Sequence, residues 1–174
     1  MIYYIADLHF GHSNIIKLCG RPFADAGEMD RQMIDNWNSV VDSRDDVYIV
    51  GDFCFGTKRP ATEYLDQLKG RKHLIIGNHD KAIMKDPDAL SCFESVFQMQ
   101  TIRDNGRKIF MCHYPVAEWP GYYHGMIHFY GHIHNNECVT KDIMAGIPNA
   151  YNVGADLLGF TPRTADYILG EDNS

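Results

Sequence analysis

Short apolar runs and helical stripes alternate along the first half of the chain. Ile2 to Ala6 is an apolar run rich in strand formers, and from Glu28 the positions Met29, Met33, Trp37, Val40 and Val41 fall on one helical face. Val47 to Val50 reads as a second buried strand. Pro60 to Lys69 places Ala61, Leu65 and Leu68 on one stripe with Gly70 as a helix stop, and His73 to Ile76 supplies a third strand. Strands separated by helices need crossover connections, so this half predicts a parallel sheet covered by helices.

The period changes in the second half. Ser95 to Arg103 and Arg107 to Cys112 flank Asp104-Asn105-Gly106, a turn suited to a hairpin whose tip needs positive φ. Ile127 to Tyr130 and Tyr151 to Val153 are two further short strands, and Arg163 to Leu169 predicts a brief terminal helix. Pro115 to Gly125, with two prolines and two glycines, reads as a functional loop. The expectation is one α/β domain over residues 1–174 with a mixed sheet system.

Composition narrows the class. A chain of 174 residues with 45% hydrophobic content can bury a single core, and it is too apolar to remain disordered. Its net charge of −7 has the wrong sign for gripping long nucleic acid, although a short nucleotide substrate stays open. The five cysteines contain no Cys-x-x-Cys pair and read as reduced thiols. With no secretory leader and no apolar run near ~20 residues, the chain reads as cytoplasmic, without a membrane partner.

The candidate chemistry sits directly after the strands. Asp7-Leu8-His9, Gly51-Asp52, Gly77-Asn78-His79-Asp80, His113 and Gly131-His132-Ile133-His134 follow five of them. Loops at the carboxyl ends of strands converge on one crevice, so these clusters predict one shared site. Taken singly, Asp-x-His is expected about 0.9 times by chance and says nothing, whereas Gly-His-x-His is expected about 0.04 times and Gly-Asn-His-Asp about 0.004 times. Each block also has an ordinary reading: Asp7 and Asp52 as turn formers, His113 as a buried core histidine, His132 and His134 as a solvated edge.

As a set they make a metal site. Asp7 and His9, spaced by two, can face one ion, as can His132 and His134, and Asp52 can bridge two ions through its two oxygens. Four histidines, two aspartates and Asn78 are too many ligands for one structural zinc and suit two divalent ions ~3.5–4 Å apart. The imidazole share favours transition metals over magnesium or calcium; manganese is the expected ion, with iron, zinc, nickel and cobalt as alternatives. Two dications against two aspartates leave surplus positive charge, which matches a small anionic phosphate ester.

At these residues the chain resembles the calcineurin-like metallophosphoesterase superfamily, whose blocks Asp-x-His, Gly-Asp, Gly-Asn-His-Asp/Glu, a lone His and Gly-His-x-His all occur in order from Asp7 to His134. The opening Asp7-Leu8-His9-Phe10-Gly11-His12 is similar to small bacterial and phage-type members. The resemblance implies a four-layer α/β/β/α sandwich, with Asp7, His9 and His134 on the first metal, Asn78, His113 and His132 on the second, and Asp52 bridging. It further implies His79 as general acid oriented by Asp80, and in-line attack by a metal-bridging hydroxide on a phosphodiester or small monoester.

For substrate contacts the loops nominate His12, Arg21, Lys58, Arg59, Trp119, Tyr122, Tyr123 and His124, while Cys112 belongs to the opposite strand face from His113. Competing readings are a nuclease acting on oligonucleotides and a non-catalytic binding module on the same fold. A carbonyl hydrolase of the metallo-β-lactamase type would need His-x-His-x-Asp-His, and His134 is followed by Asn135 and Asn136.

Overall fold

Tyr3 and Ile5 point to one side of the first strand, Tyr4 and Ala6 to the other, and this period of two sorts the core into layers. In the computed structural model, which describes residues 1–171, β1 (Ile2–Ile5), β2 (Asp46–Ile49), β3 (Arg71–Ile75) and β4 (Phe93–Phe97) form a parallel sheet in that order. A second sheet holds β5 (Met99–Asp104), β6 (Arg107–Cys112), β7 (Ile127–Tyr130) and β8 (Ala150–Asn152), with β5 antiparallel to β6 and the others parallel.

Three apolar clusters fill the three spaces of the sandwich. Tyr3, Ile5, Val47, Ile49 and Leu74 pack under helices α1 (Ser13–Cys19), α2 (Ala26–Val40) and α3 (Ala61–Leu65), which contribute Ile15, Met29, Met33, Trp37, Tyr64 and Leu65. Tyr4, Ala6, Tyr48, Val50 and Ile75 face Ile109, Met111, Ile127, Phe129 and Val153 between the sheets. Phe110 and Cys112, on the outer face of the second sheet, are covered by Trp119 from the 115–125 loop. The outermost layer here is thus largely loop. Three short α-helices, α4 (Pro87–Ser91), α5 (Val139–Ala145) and α6 (Ala165–Ile168), and two 3-10 turns, Ile83–Lys85 and Tyr122–His124, complete the described chain.

Several boundaries differ from the sequence expectation for identifiable reasons. The helix expected from Glu28 begins at Ala26, because the Asp25 side chain accepts the Glu28 amide as an N-cap. Helix α1 was not anticipated; it ends on Gly20 at φ 62°, the left-handed residue that closes many helices. The run Ser95 to Arg103 is two strands, not one. It breaks at Gln98, where the chain leaves β3 as a parallel partner and takes up β6 as an antiparallel one. Alternation along a strand reports its faces and not its partners. No described helix is long and apolar enough to cross a membrane.

Because β1, β2, β3, β6, β7 and β8 run parallel within their sheets, their carboxyl ends gather at one edge of the sandwich. The Ala6–Gly154 bridge stitches the two sheets together at that edge.

Candidate metal centre

Every motif block begins where a strand stops, and the backbone there is sharply bent. Asp7, His9, Asp52, His132 and His134 all adopt positive φ, between 51° and 72°. Glycines make the close approach possible. A Cβ at Gly131 would lie 2.6 Å from Asp7 Oδ2, and one at Gly77 would lie 2.3 Å from Asp52 Oδ1.

The structure brings Asp7, His9 and His134 together, with ligand atoms within 4.8 Å of one another, and likewise Asp7, Asp52 and His113. Asn78 and His132 adjoin the second group. Asn78 Oδ1 is 3.1 Å from His113 Nε2, and the His113 and His132 rings are 5.2 Å apart. Asp52 stands between the two halves: its Oδ2 is 3.5 Å from His9 Nε2 and 3.4 Å from His113 Nε2. Its Oδ1 accepts the His79 amide at 2.8 Å, and Oδ2 is the oxygen that faces both imidazoles.

Hydrogen bonds orient the imidazoles. His113 Nδ1 donates to the Val50 carbonyl at 2.9 Å, which turns Nε2 toward Asp52. His134 Nδ1 pairs with Asp156 Oδ2 at 2.9 Å. Asp156 in turn receives Arg21 Nε at 2.8 Å, while the Arg21 guanidinium also donates to the carbonyls of Leu8 at 2.8 Å and Asp7 at 2.7 Å. Both His132 amide contacts end on the Asp7 carboxylate, at 2.9 and 3.1 Å.

The electrostatics fit cations. Burial raises the Asp7 carboxyl to about 6 and lowers His9 to about 2, so His9 presents a neutral imidazole. His9 Nε2 is buried and has no protein hydrogen-bond partner, the signature of a donor atom awaiting a ligand. Burial is the largest influence on His134 and opposes its charge, but the hydrogen bond to Asp156 together with Cys19 and the charge of Asp7 outweighs it and raises the group to about 10. For Asp52, burial is outweighed by the hydrogen bond and charge of His113, which hold it at about 2. A proton on His134 thus balances carboxylate charge that bound dications would otherwise neutralise.

Several nominated residues lie elsewhere. Asp80 does not touch the His79 ring: its Oδ2 accepts the amides of Gly77 at 2.7 Å and Asp52 at 2.9 Å, and its Oδ1 that of Phe53 at 2.9 Å. Its orienting role is therefore corrected to a backbone anchor. Arg21 is buried and fully engaged beneath the first ligand group, which removes it from the substrate contacts. Trp119 is buried on the outer face of the second sheet and donates to the Met126 carbonyl, with Tyr122 packed on its ring. Tyr123 pairs with Glu118 on the same loop. His124 shares a cavity with Arg107 and Lys108 at the start of β6, the end opposite His113. These four are corrected for one reason: their loop folds over the sheet face rather than over the strand ends.

His12 stays near the site, its Nδ1 3.3 Å from His9 Nδ1 and its ring on Phe55. Arg59 lines a cavity with Asn78 and His79, whereas the adjacent Lys58 is exposed and lies outside that lining. Sequence reasoning missed Asp156, Phe55, Lys81 and Tyr114. Asp156 had a legible signal, since Gly154-Ala155-Asp156 follows the last strand as the other glycine-led blocks follow theirs.

No family model matches the chain. The uncharacterized protein MJ1445 of Methanocaldococcus jannaschii is 34% identical over 170 residues, covering 97% of this chain and 89% of that protein. Among solved structures, AQ665 of Aquifex aeolicus, a protein of unknown function, superposes with a TM-score of 0.75 at 27% identity over 98% of both chains. An archaeal phosphodiesterase shares the fold, with a TM-score of 0.52 at 15% identity over 88% of this chain and 81% of its own. Related to MJ1445 over almost its whole length, the chain belongs to the same family as that protein, and it shares the fold of the archaeal phosphodiesterase.

Proposed function

We propose that this chain is a binuclear metal-dependent hydrolase of phosphate esters. Asp7, His9 and His134 would hold the first ion, Asn78, His113 and His132 the second, with Asp52 Oδ2 between them. The observation that carries the reading is the placement of that oxygen, 3.5 and 3.4 Å from two imidazole nitrogens on opposite halves of the site, one of them otherwise unpartnered. When bound, the ions supply hydroxide at neutral pH and positive charge for the phosphoryl oxygens, and the mixed imidazole and carboxylate set suits divalent transition metals, of which manganese is the one tested first.

The chain's own groups do the rest. His79 is fixed through its backbone, since its amide donates to Asp52 Oδ1, while its ring lies 5.3 Å from that of His9 and 4.0 Å from that of Phe55. Among the described residues no protein group bonds its ring nitrogens, so the imidazole can give a proton to a departing oxygen. Asp80 keeps Gly77, Asp52 and Phe53 in register and thereby sets the position of His79 relative to Asp52.

The test strips the protein with a chelator and reloads it with manganese, following p-nitrophenyl mono- and diesters and metal content together. Hydrolysis should vanish on stripping and return with two ions per chain. Turnover by stripped protein would overturn the reading, as would a fully loaded protein that hydrolyses none of the esters, the behaviour of a binding module.

A further inference from the structure

Two cavities open beside the second ligand group and meet at Asn78 and Lys81. The first, about 630 Å³, runs past His79 and Arg59 to Phe55, Pro60 and Ile83. The second, about 570 Å³, extends from Gly77 to Met84, Gln98 and Tyr114. The short stretch after Asp80 is the wall between them: Ala82, Ile83 and Asp86 face the first, Met84 and Lys85 the second. Both volumes fall within the roughly 300–1,000 Å³ of small-molecule sites.

A phosphate monoester has one organic arm and would leave one of these cavities without a role. A diester has two. Each cavity also carries a partly exposed aromatic ring, Phe55 at 40% exposure in the first and Tyr114 at 46% in the second. Such rings offer stacking surfaces to planar groups. Lys81 borders both, where a phosphodiester anion would lie between the arms.

We propose that the substrate is a phosphodiester with two ring-bearing, nucleoside-sized arms, the leaving arm in the cavity of His79 and Phe55 and the retained arm in that of Met84 and Tyr114. This rests on the phosphoesterase reading above and specifies its substrate. The bond from phosphorus to the arm beside His79 breaks as a bond to a hydroxide oxygen forms. The departing alkoxide takes the proton of the His79 imidazolium, and the products are an alcohol and a monoester bearing the other arm.

Three p-nitrophenyl esters with a common leaving group isolate the second cavity: that of thymidine 5′-phosphate, that of methyl phosphate, and p-nitrophenyl phosphate itself. In manganese-loaded protein the thymidine ester should exceed the methyl ester at least tenfold in kcat/KM, and Met84→Asp should bring that ratio close to one. By calorimetry a dinucleoside phosphorothioate should bind at least tenfold tighter than thymidine 5′-phosphate, with the margin lost in Met84→Asp. Equal turnover of the two diesters, preference for p-nitrophenyl phosphate, or equal binding of dinucleotide and mononucleotide would overturn the two-armed substrate and leave the phosphoesterase reading standing. A loaded protein that hydrolyses none of the three would instead remove that reading, and this inference with it.

Discussion

Asp80 grips the backbone of Asp52: its buried Oδ2 accepts the Asp52 amide at 2.9 Å, while Oδ1 takes the next amide, that of Phe53. The loop that carries the shared carboxylate is therefore tied to the loop that carries His79 through backbone and not through the imidazole. Asp80→Asn turns one acceptor into a donor facing an amide, which should cost about 1–3 kcal/mol. Urea melts would measure this. At saturating manganese the variant should keep the wild-type dependence of rate on leaving-group pKa; a steeper dependence would mean that Asp80 serves the proton donor directly.

His79→Ala should leave metal content near that of wild type and reduce turnover by about 10²–10⁴-fold, least for esters with acidic leaving groups. Elemental analysis alongside kinetics checks both halves. Loss of bound ions would reassign His79 to the ligand set.

Asp52→Asn should lower occupancy of both positions at once, since Oδ2 faces His9 and His113 together. A titration that still fills two equivalent sites would refute the shared oxygen.

The Arg21–Asp156 pair lies under the first ligand group. Asp156→Asn should weaken the first ion about 10–100-fold by loosening His134, with the second less affected. Arg21→Ala leaves Asp156 Oδ1 and the Leu8 and Asp7 carbonyls without a donor, with only His134 still paired to that buried carboxylate, and should destabilise by about 3–5 kcal/mol. Lysine lacks the planar fork and should not restore it. Full stability in Arg21→Lys would contradict that geometry.

Acid stability should report on Asp46. Hydrogen bonding by Arg71, with His73 adding to it, holds this carboxyl at about 2, below its unfolded value of about 4. Its contribution is then present above pH ~4 and lost as pH falls through about 2. Arg71→Ala should flatten the fall of the urea midpoint across that window; an unchanged slope would exclude the pair as its source.

What the sequence made legible was the part written in local pattern. The runs Ile2 to Ala6 and Val47 to Val50 and the stripe through Met29, Met33 and Trp37 each state their burial in their own spacing, and glycine-led blocks mark strand ends. What stayed hidden depends on partners distant in the chain. The break at Gln98 follows from a change of neighbour, invisible to alternation. Arg21 looked like any surface cation because Asp156 lies 135 positions away. The aromatic loop from Trp119 to His124 had the composition of a binding element, but Phe110 and Cys112 provided an apolar face for it to cover.

The left-handed backbone at Asp7, His9, Asp52, His132 and His134 has an evolutionary corollary. Aspartate, asparagine and histidine tolerate that conformation better than other side chains, and β-branched residues are poorly accommodated there. Selection for chain geometry and selection for ion binding therefore favour the same residue types at the same corners. A descendant that had abandoned catalysis would still be pressed to keep such residues, or glycine, at these bends. An aspartate or histidine surviving there in some remote cousin is weak testimony that the cousin still works as an enzyme, and Asn78, which lies outside the set of bent positions, is the better witness.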